Sequence, residues 1–102
     1  MNIIYNVTIK VEHSIAADWR QWMLKEHIPM VLETKCFSDA KLFRLLDQDD
    51  TDGPTFCAQY FCDSREQYDD YIDNFAEKMR AETQKHWNGK FVAFRSLMQV
   101  QS

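Results

Sequence analysis

Residues 3–11, IIYNVTIKV, put Ile3, Tyr5, Val7, Ile9 and Val11 on one side of an extended chain and Asn6, Thr8 and Lys10 on the other. Successive side chains of a strand point to opposite faces, so this alternation predicts a strand buried on one side only. Whatever else the chain forms must cover the face that carries Tyr5, Val7 and Ile9.

The period then changes. Ser14 is placed to cap a helix in which Ile15, Trp19, Trp22, Met23, Met30 and Val31 recur at helical spacing. Pro29 is expected to break or kink that helix after His27, because proline lacks the backbone donor and restrains the residue before it. A short second piece from Pro29 to Glu33 follows. Residues 37–47, FSDAKLFRLLD, lack a helix cap and read as a second strand. Asp47, Asp49, Asp50 and Asp52, then Gly53 and Pro54, mark a hairpin turn into a third strand, TFCAQYFC, over residues 55–62.

Asp63 or Ser64 is positioned to cap one long helix with Tyr68, Tyr71, Ile72, Phe75, Met79 and His86 along a stripe. Gly89 after Asn88 supplies its stop, and KFVAFRSLMQV alternates as a last strand over residues 90–100. The order β, α, β, β, α, β predicts an α+β ferredoxin-like sandwich. It has a four-stranded antiparallel sheet with both helices on one face, and a single domain spanning residues 1–102. With 45% hydrophobic residues, two Gly and two Pro, the 102-residue chain has material for one core and little for linkers.

Composition also narrows the partners. A formal charge of −4 without a clustered basic face argues against nucleic acid. The opening MNIIYNVTIK has no basic stretch followed by a long apolar run, and nothing approaches the ~18–20 apolar residues that span a bilayer, so a cytoplasmic location with no membrane contact is expected. Cys36, Cys57 and Cys62 form no CxxC pair and are expected as free thiols.

Alternation also assigns the face opposite the helices. It receives Ile4, Asn6, Thr8 and Lys10 from the first strand and Cys57, Gln59 and Phe61 from the third. On the last strand Val92, Phe94, Met98 and Val100 make the better core set, which leaves Phe91, Ala93, Arg95, Leu97 and Gln99 on the open face. Ile4, Phe61, Phe91 and Leu97 would then form an apolar patch, and an exposed patch of this kind marks an association surface. A homodimer formed sheet against sheet is the expected solution, with Asn6, Thr8, Gln59 and Arg95 lining a central cavity.

Four segments together, IIYNVTIKVEHSI, WRQWMLKEHIPMVL, CAQYFC and GKFVAFRSLMQV, resemble the domain of unknown function 4286 family, short bacterial proteins found mainly in Bacteroidetes. The resemblance covers nearly the whole chain. It implies a ferredoxin-like fold related to the dimeric α+β barrels. That superfamily includes cofactor-independent monooxygenases, small-ring isomerases, polyketide cyclases and haem-degrading enzymes, and fold alone does not choose among them.

Chemistry therefore has to come from the residues. His27 follows Met23 by four positions and Trp19 by eight, on the apolar side of the first helix. It is the candidate acid or base, with Arg95 as the candidate for stabilising an anion. Asn6, Thr8, Gln59 and Trp22 are the candidate ligand-binding residues. The alternative for His27 is packing against tryptophan, and for Trp19, Trp22 and Trp87 a place in the core. His13 and His86 read as peripheral. The chain has no HExxH or HxxxH spacing, and a calcium loop with Gly53 sixth would put Gln48 first and Gln59 twelfth, so no metal or other cofactor is expected. Two functions fit. One is a small homodimeric domain that binds a small ligand or a protein partner at its sheet face. The other is a cofactor-independent enzyme, monooxygenase-, isomerase- or cyclase-like, in which His27 moves a proton on a small aromatic or carbonyl metabolite.

Overall fold

A computed structural model describes residues 3–102. Four strands, β1 (Ile3–Val11), β2 (Asp39–Arg44), β3 (Thr55–Cys62) and β4 (Phe91–Gln99), form one sheet in the order β2-β3-β1-β4, with every neighbouring pair antiparallel. The alternating segment is thus an inner strand. The connection from β1 to β2 carries a 3-10 turn (His13–Ile15), α1 (Ala16–Trp22), a π turn (Met23–His27) and α2 (Ile28–Glu33), whereas α3 (Arg65–Asn74) and α4 (Ala76–Trp87) join β3 to β4. This is the predicted ferredoxin-like arrangement. Among the described residues, no helix is long and apolar enough to cross a membrane.

The helix-facing side of the sheet holds the core. Tyr5, Ile9 and Val11 of β1 and Phe56, Ala58, Tyr60 and Cys62 of β3 are buried, and Trp19, Val31, Tyr71 and Met79 cover them from the helices. Aromatic rings dominate: Tyr5 lies 6.1 Å from Phe37 and 5.8 Å from Tyr71, and Trp19 lies 5.1 Å from Phe56. Ring pairs at these separations add to area burial through their edge and face charges.

The last strand has the opposite parity to the one expected. Val11 pairs with Phe91, Ile9 with Ala93, Val7 with Arg95 and Tyr5 with Leu97, so Phe91, Ala93, Arg95 and Leu97 share the helix-facing side. Val92 and Phe94, expected in the core, are 58% and 66% exposed on the open face. The reason is that β4 carries apolar residues on both faces. Its alternation therefore specifies no face, and register is fixed by pairing with β1.

Other local departures have visible causes. The helix does not break after His27: the Ile28 N–H donates to the Met23 carbonyl, five residues back, and α2 continues through Pro29 to Glu33. Widening one turn accommodates a proline ring that would crowd the carbonyl four residues earlier in a regular helix. Ser14 lies inside the 3-10 turn and caps nothing. Strand β2 is shorter than residues 37–47, because Phe37 turns into the core between Tyr5 and Tyr71, and Leu46 is exposed.

The long second helix divides at Phe75. There the Asn74 side-chain amide donates to the Asp70 carbonyl at 3.1 Å, and such local bonding competes with helix continuation. Ser64 is the N-cap, accepting from the Gln67 N–H at 3.2 Å. Gly53 ends the hairpin at φ +139°, where a Cβ would stand 1.8 Å from the Val11 carbonyl oxygen, so no other residue fits.

Candidate functional site

A cavity of about 50 Å³ lies between the helix-facing side of the sheet and the helices. Tyr5 and Tyr60 form part of its sheet wall, with Arg95 of β4 beside them. Trp19, Tyr71 and Arg80 come from the helices, and His27 from the π turn. An aromatic lining with a few polar groups is the usual composition of a small-molecule site, although this volume is far below the ~300–1,000 Å³ of a drug-sized pocket.

His27 is half-buried at the end of the π turn, its ring stacked on Trp22 at 4.9 Å. Its Nδ1 is buried without a hydrogen-bond partner. Burial lowers its pKa from 6.5 to about 4, against the opposing pull of Glu82. The imidazole is therefore neutral at pH 7. Trp22 does not line the cavity; it lies in the core, with His27 on one side and His86 at 5.0 Å. Trp19 does line it, and its indole N–H is also buried and unpartnered.

Two guanidinium groups mark the rim. Arg80 is exposed and donates to the Tyr5 hydroxyl at 3.2 Å. Arg95 is exposed on β4, and its charge and that of Arg80 both act on Tyr71. Burial nevertheless pushes the Tyr71 and Tyr60 phenols well above their ordinary range, so both stay protonated.

The candidates named from the sequence thus fall on opposite sides of the sheet. His27 and Arg95 line one cavity, but on the helix side and not the central dimer cavity expected for Arg95. Asn6, Thr8 and Gln59 lie on the open face, where Asn6 pairs with Gln59 across the strands. The Asn6 amide donates to the Thr8 hydroxyl at 3.1 Å, and that hydroxyl lies 3.5 Å from the Cys57 sulfur. Phe91 and Leu97 leave the open-face patch, and Phe43, Val92, Phe94 and Met98 form its exposed apolar part. Both departures follow from the parity that pairing with β1 gives β4.

Sequence reasoning missed the tyrosines and Arg80. The alternation of β1 and β3 did place Tyr5 and Tyr60 together on the covered face, and two phenols on a face that must be dry were the available signal. Nothing in the helix text singled out Arg80. Among the described residues, no group of three or more His, Cys, Asp or Glu is arranged to hold a metal.

Residues 2–101 match the family described as a domain of unknown function (DUF4286). The chain belongs to that family. Its sequence matches none of the curated proteins. Among solved structures, a variant of SnoaB, a cofactor-independent oxygenase from Streptomyces nogalater, superposes with TM-score 0.70 at 11% identity, over 100% of this chain and 96% of that one. The ActVA-Orf6 monooxygenase of Streptomyces coelicolor, solved with nanaomycin D, gives 0.61 at 16% identity over 99% and 88%. A dimeric ferredoxin-like protein from an uncultured marine organism gives 0.60 at 9% over all of both chains. At these identities the likeness is one of fold, and it agrees with the ferredoxin-like α+β arrangement of this chain.

Proposed function

We propose that this DUF4286 protein is a homodimeric small-ligand-binding domain, with one cavity per protomer on the helix side of the sheet and the open faces packed against each other. The observation that carries it is the convergence of His27, Arg95, Arg80 and Tyr71 on one aromatic-lined cavity. Dimerisation is supported by Val92, Phe94, Met98 and Phe43, whose exposure leaves an uncovered apolar patch beside Asn6, Thr8 and Gln59. The dimeric ferredoxin-like neighbour shares the fold that presents this face. A reducing compartment suits the free thiols Cys36, Cys57 and Cys62, and the cytoplasm is part of the proposal.

The cofactor-independent enzyme is the second reading, and the site geometry favours it through His27 and Arg95 sharing one cavity. The oxygenase neighbours put such chemistry within reach of the fold. Against it stands the basicity of His27. With a pKa of about 4, it is some six units too weak to deprotonate an ordinary phenol, a deficit of about 8 kcal/mol. Binding is therefore the better-supported role, with the neutral imidazole as a hydrogen-bonding group.

A thermal-shift and NMR screen of single-ring compounds tests the proposal. Compounds that bind should perturb Tyr71 and Trp19 and lose binding in Ala93→Leu, which fills the cavity from β4. A screen with no cavity binders, or binders unaffected by Ala93→Leu, removes the ligand site from the proposal.

A further inference from the structure

We infer that the cavity selects a compact planar anion, a single-ring aromatic carboxylate whose charge is read by Arg80 and Arg95. This deepens the small-ligand reading above and rests on it. The chain carries 16 acidic and 12 basic side chains, so a random patch of its surface would be net negative. The cavity inverts that balance. Its lining includes Arg80 and Arg95 and, among the described residues, no aspartate or glutamate.

Among the described residues, neither arginine pairs with a carboxylate. The ion pairs among the described residues are Arg44 with Asp50, Arg65 with Asp69 and His86 with Glu82, none of them at the rim. Arg80 has the Tyr5 hydroxyl as its partner. Glu82, the carboxylate that acts on His27, lies outside the lining and 3.8 Å from His86. A cationic ligand would meet two guanidinium groups with nothing to balance it. An anion would complete the charge.

The hydrogen-bonding inventory points the same way. Tyr60 and Tyr71 remain protonated and so keep donors, while each guanidinium offers a planar fork that matches a carboxylate. A carboxylate accepts only, which complements a site rich in donors. The aromatic walls of Tyr5, Trp19, Tyr60 and Tyr71 favour a flat ring, and about 50 Å³ is too small to enclose a whole one, so a single ring enters in part with its charged end at the exposed rim.

Benzoate, benzamide and acetate titrated into the intact protein, followed by tryptophan fluorescence and calorimetry, separate charge from ring. Benzoate should bind saturably and about tenfold or more tighter than either of the others. Arg95→Met and Arg80→Met should each weaken benzoate by about tenfold and benzamide by much less, with Arg95→Lys restoring part of the benzoate loss. Benzamide binding as tightly as benzoate overturns the charge selection while leaving the ligand site intact, and acetate matching benzoate overturns the ring. Should none of the three bind, the inference fails, and the single-ring screen decides separately whether the ligand site survives. If an arginine variant does not fold, the benzoate and benzamide comparison on the unaltered protein still decides.

Discussion

The two faces of the sheet are built from the same strands and behave as different materials. The helix side is closed by Trp19, Val31 and Tyr71 and keeps a small cavity whose polar groups sit against aromatic rings. The open side carries Phe94 and Val92 beside a polar row of Asn6, Thr8 and Gln59, with no helix above it among the described residues. A side chain's contribution therefore depends more on its parity along the strand than on its identity.

Trp19→Ala tests that contrast most severely. It removes a ring that is 1% exposed and should cost about 3–5 kcal/mol in chemical denaturation, whereas Phe94→Ala on the other face should cost the protomer less than ~1 kcal/mol. Comparable losses would mean that the faces are not distinct. Leu97→Asp, which places a carboxylate on the half-buried helix side of β4, should destabilise by about 2–3 kcal/mol. A neutral effect would restore the parity expected from sequence.

Acid should act through the helix side. His27 titrates near 4 when folded and 6.5 when unfolded, so between these values the unfolded chain binds more protons and stability falls as pH drops from 6.5 toward 4. The loss is on the order of 2–3 kcal/mol after allowance for partial exposure. His27→Gln should flatten that part of the pH profile, and an unchanged slope would place the titration elsewhere.

The smallest effect on the protomer belongs to Phe94→Glu. Its own unfolding free energy should move by less than ~0.5 kcal/mol, while sedimentation reports a fall from two chains to one. A mass that stays at two chains would place the dimer contact on another surface.

Legibility in the sequence follows the same division. Strands β1 and β3 alternate cleanly because one face of each is buried among rings, so their core residues could be read directly. Strand β4 reads FVAFRSLMQ, apolar on both faces, and only its pairing with β1 shows that Arg95 belongs with His27. Arg80 was hidden for a different reason: its role comes from an α4 position meeting Tyr5 across the fold, a contact between residues far apart in the chain. The position of His27 beside Pro29 was visible, but the proline pointed to an interruption where the helix instead widens.

That widened turn acts as a phase slip. One residue added to a regular helix rotates everything beyond it by about 100°, yet here Trp19 and Trp22 before the turn and Ile28 and Val31 after it all reach the core. The surplus residue is absorbed within Met23–His27, at the stretch that carries the imidazole. A chain one residue shorter there would turn position 27 to a new direction and bring the Pro29 ring back against the carbonyl four residues before it. The direction of the imidazole and the place of the proline in the helix therefore depend on the same surplus residue.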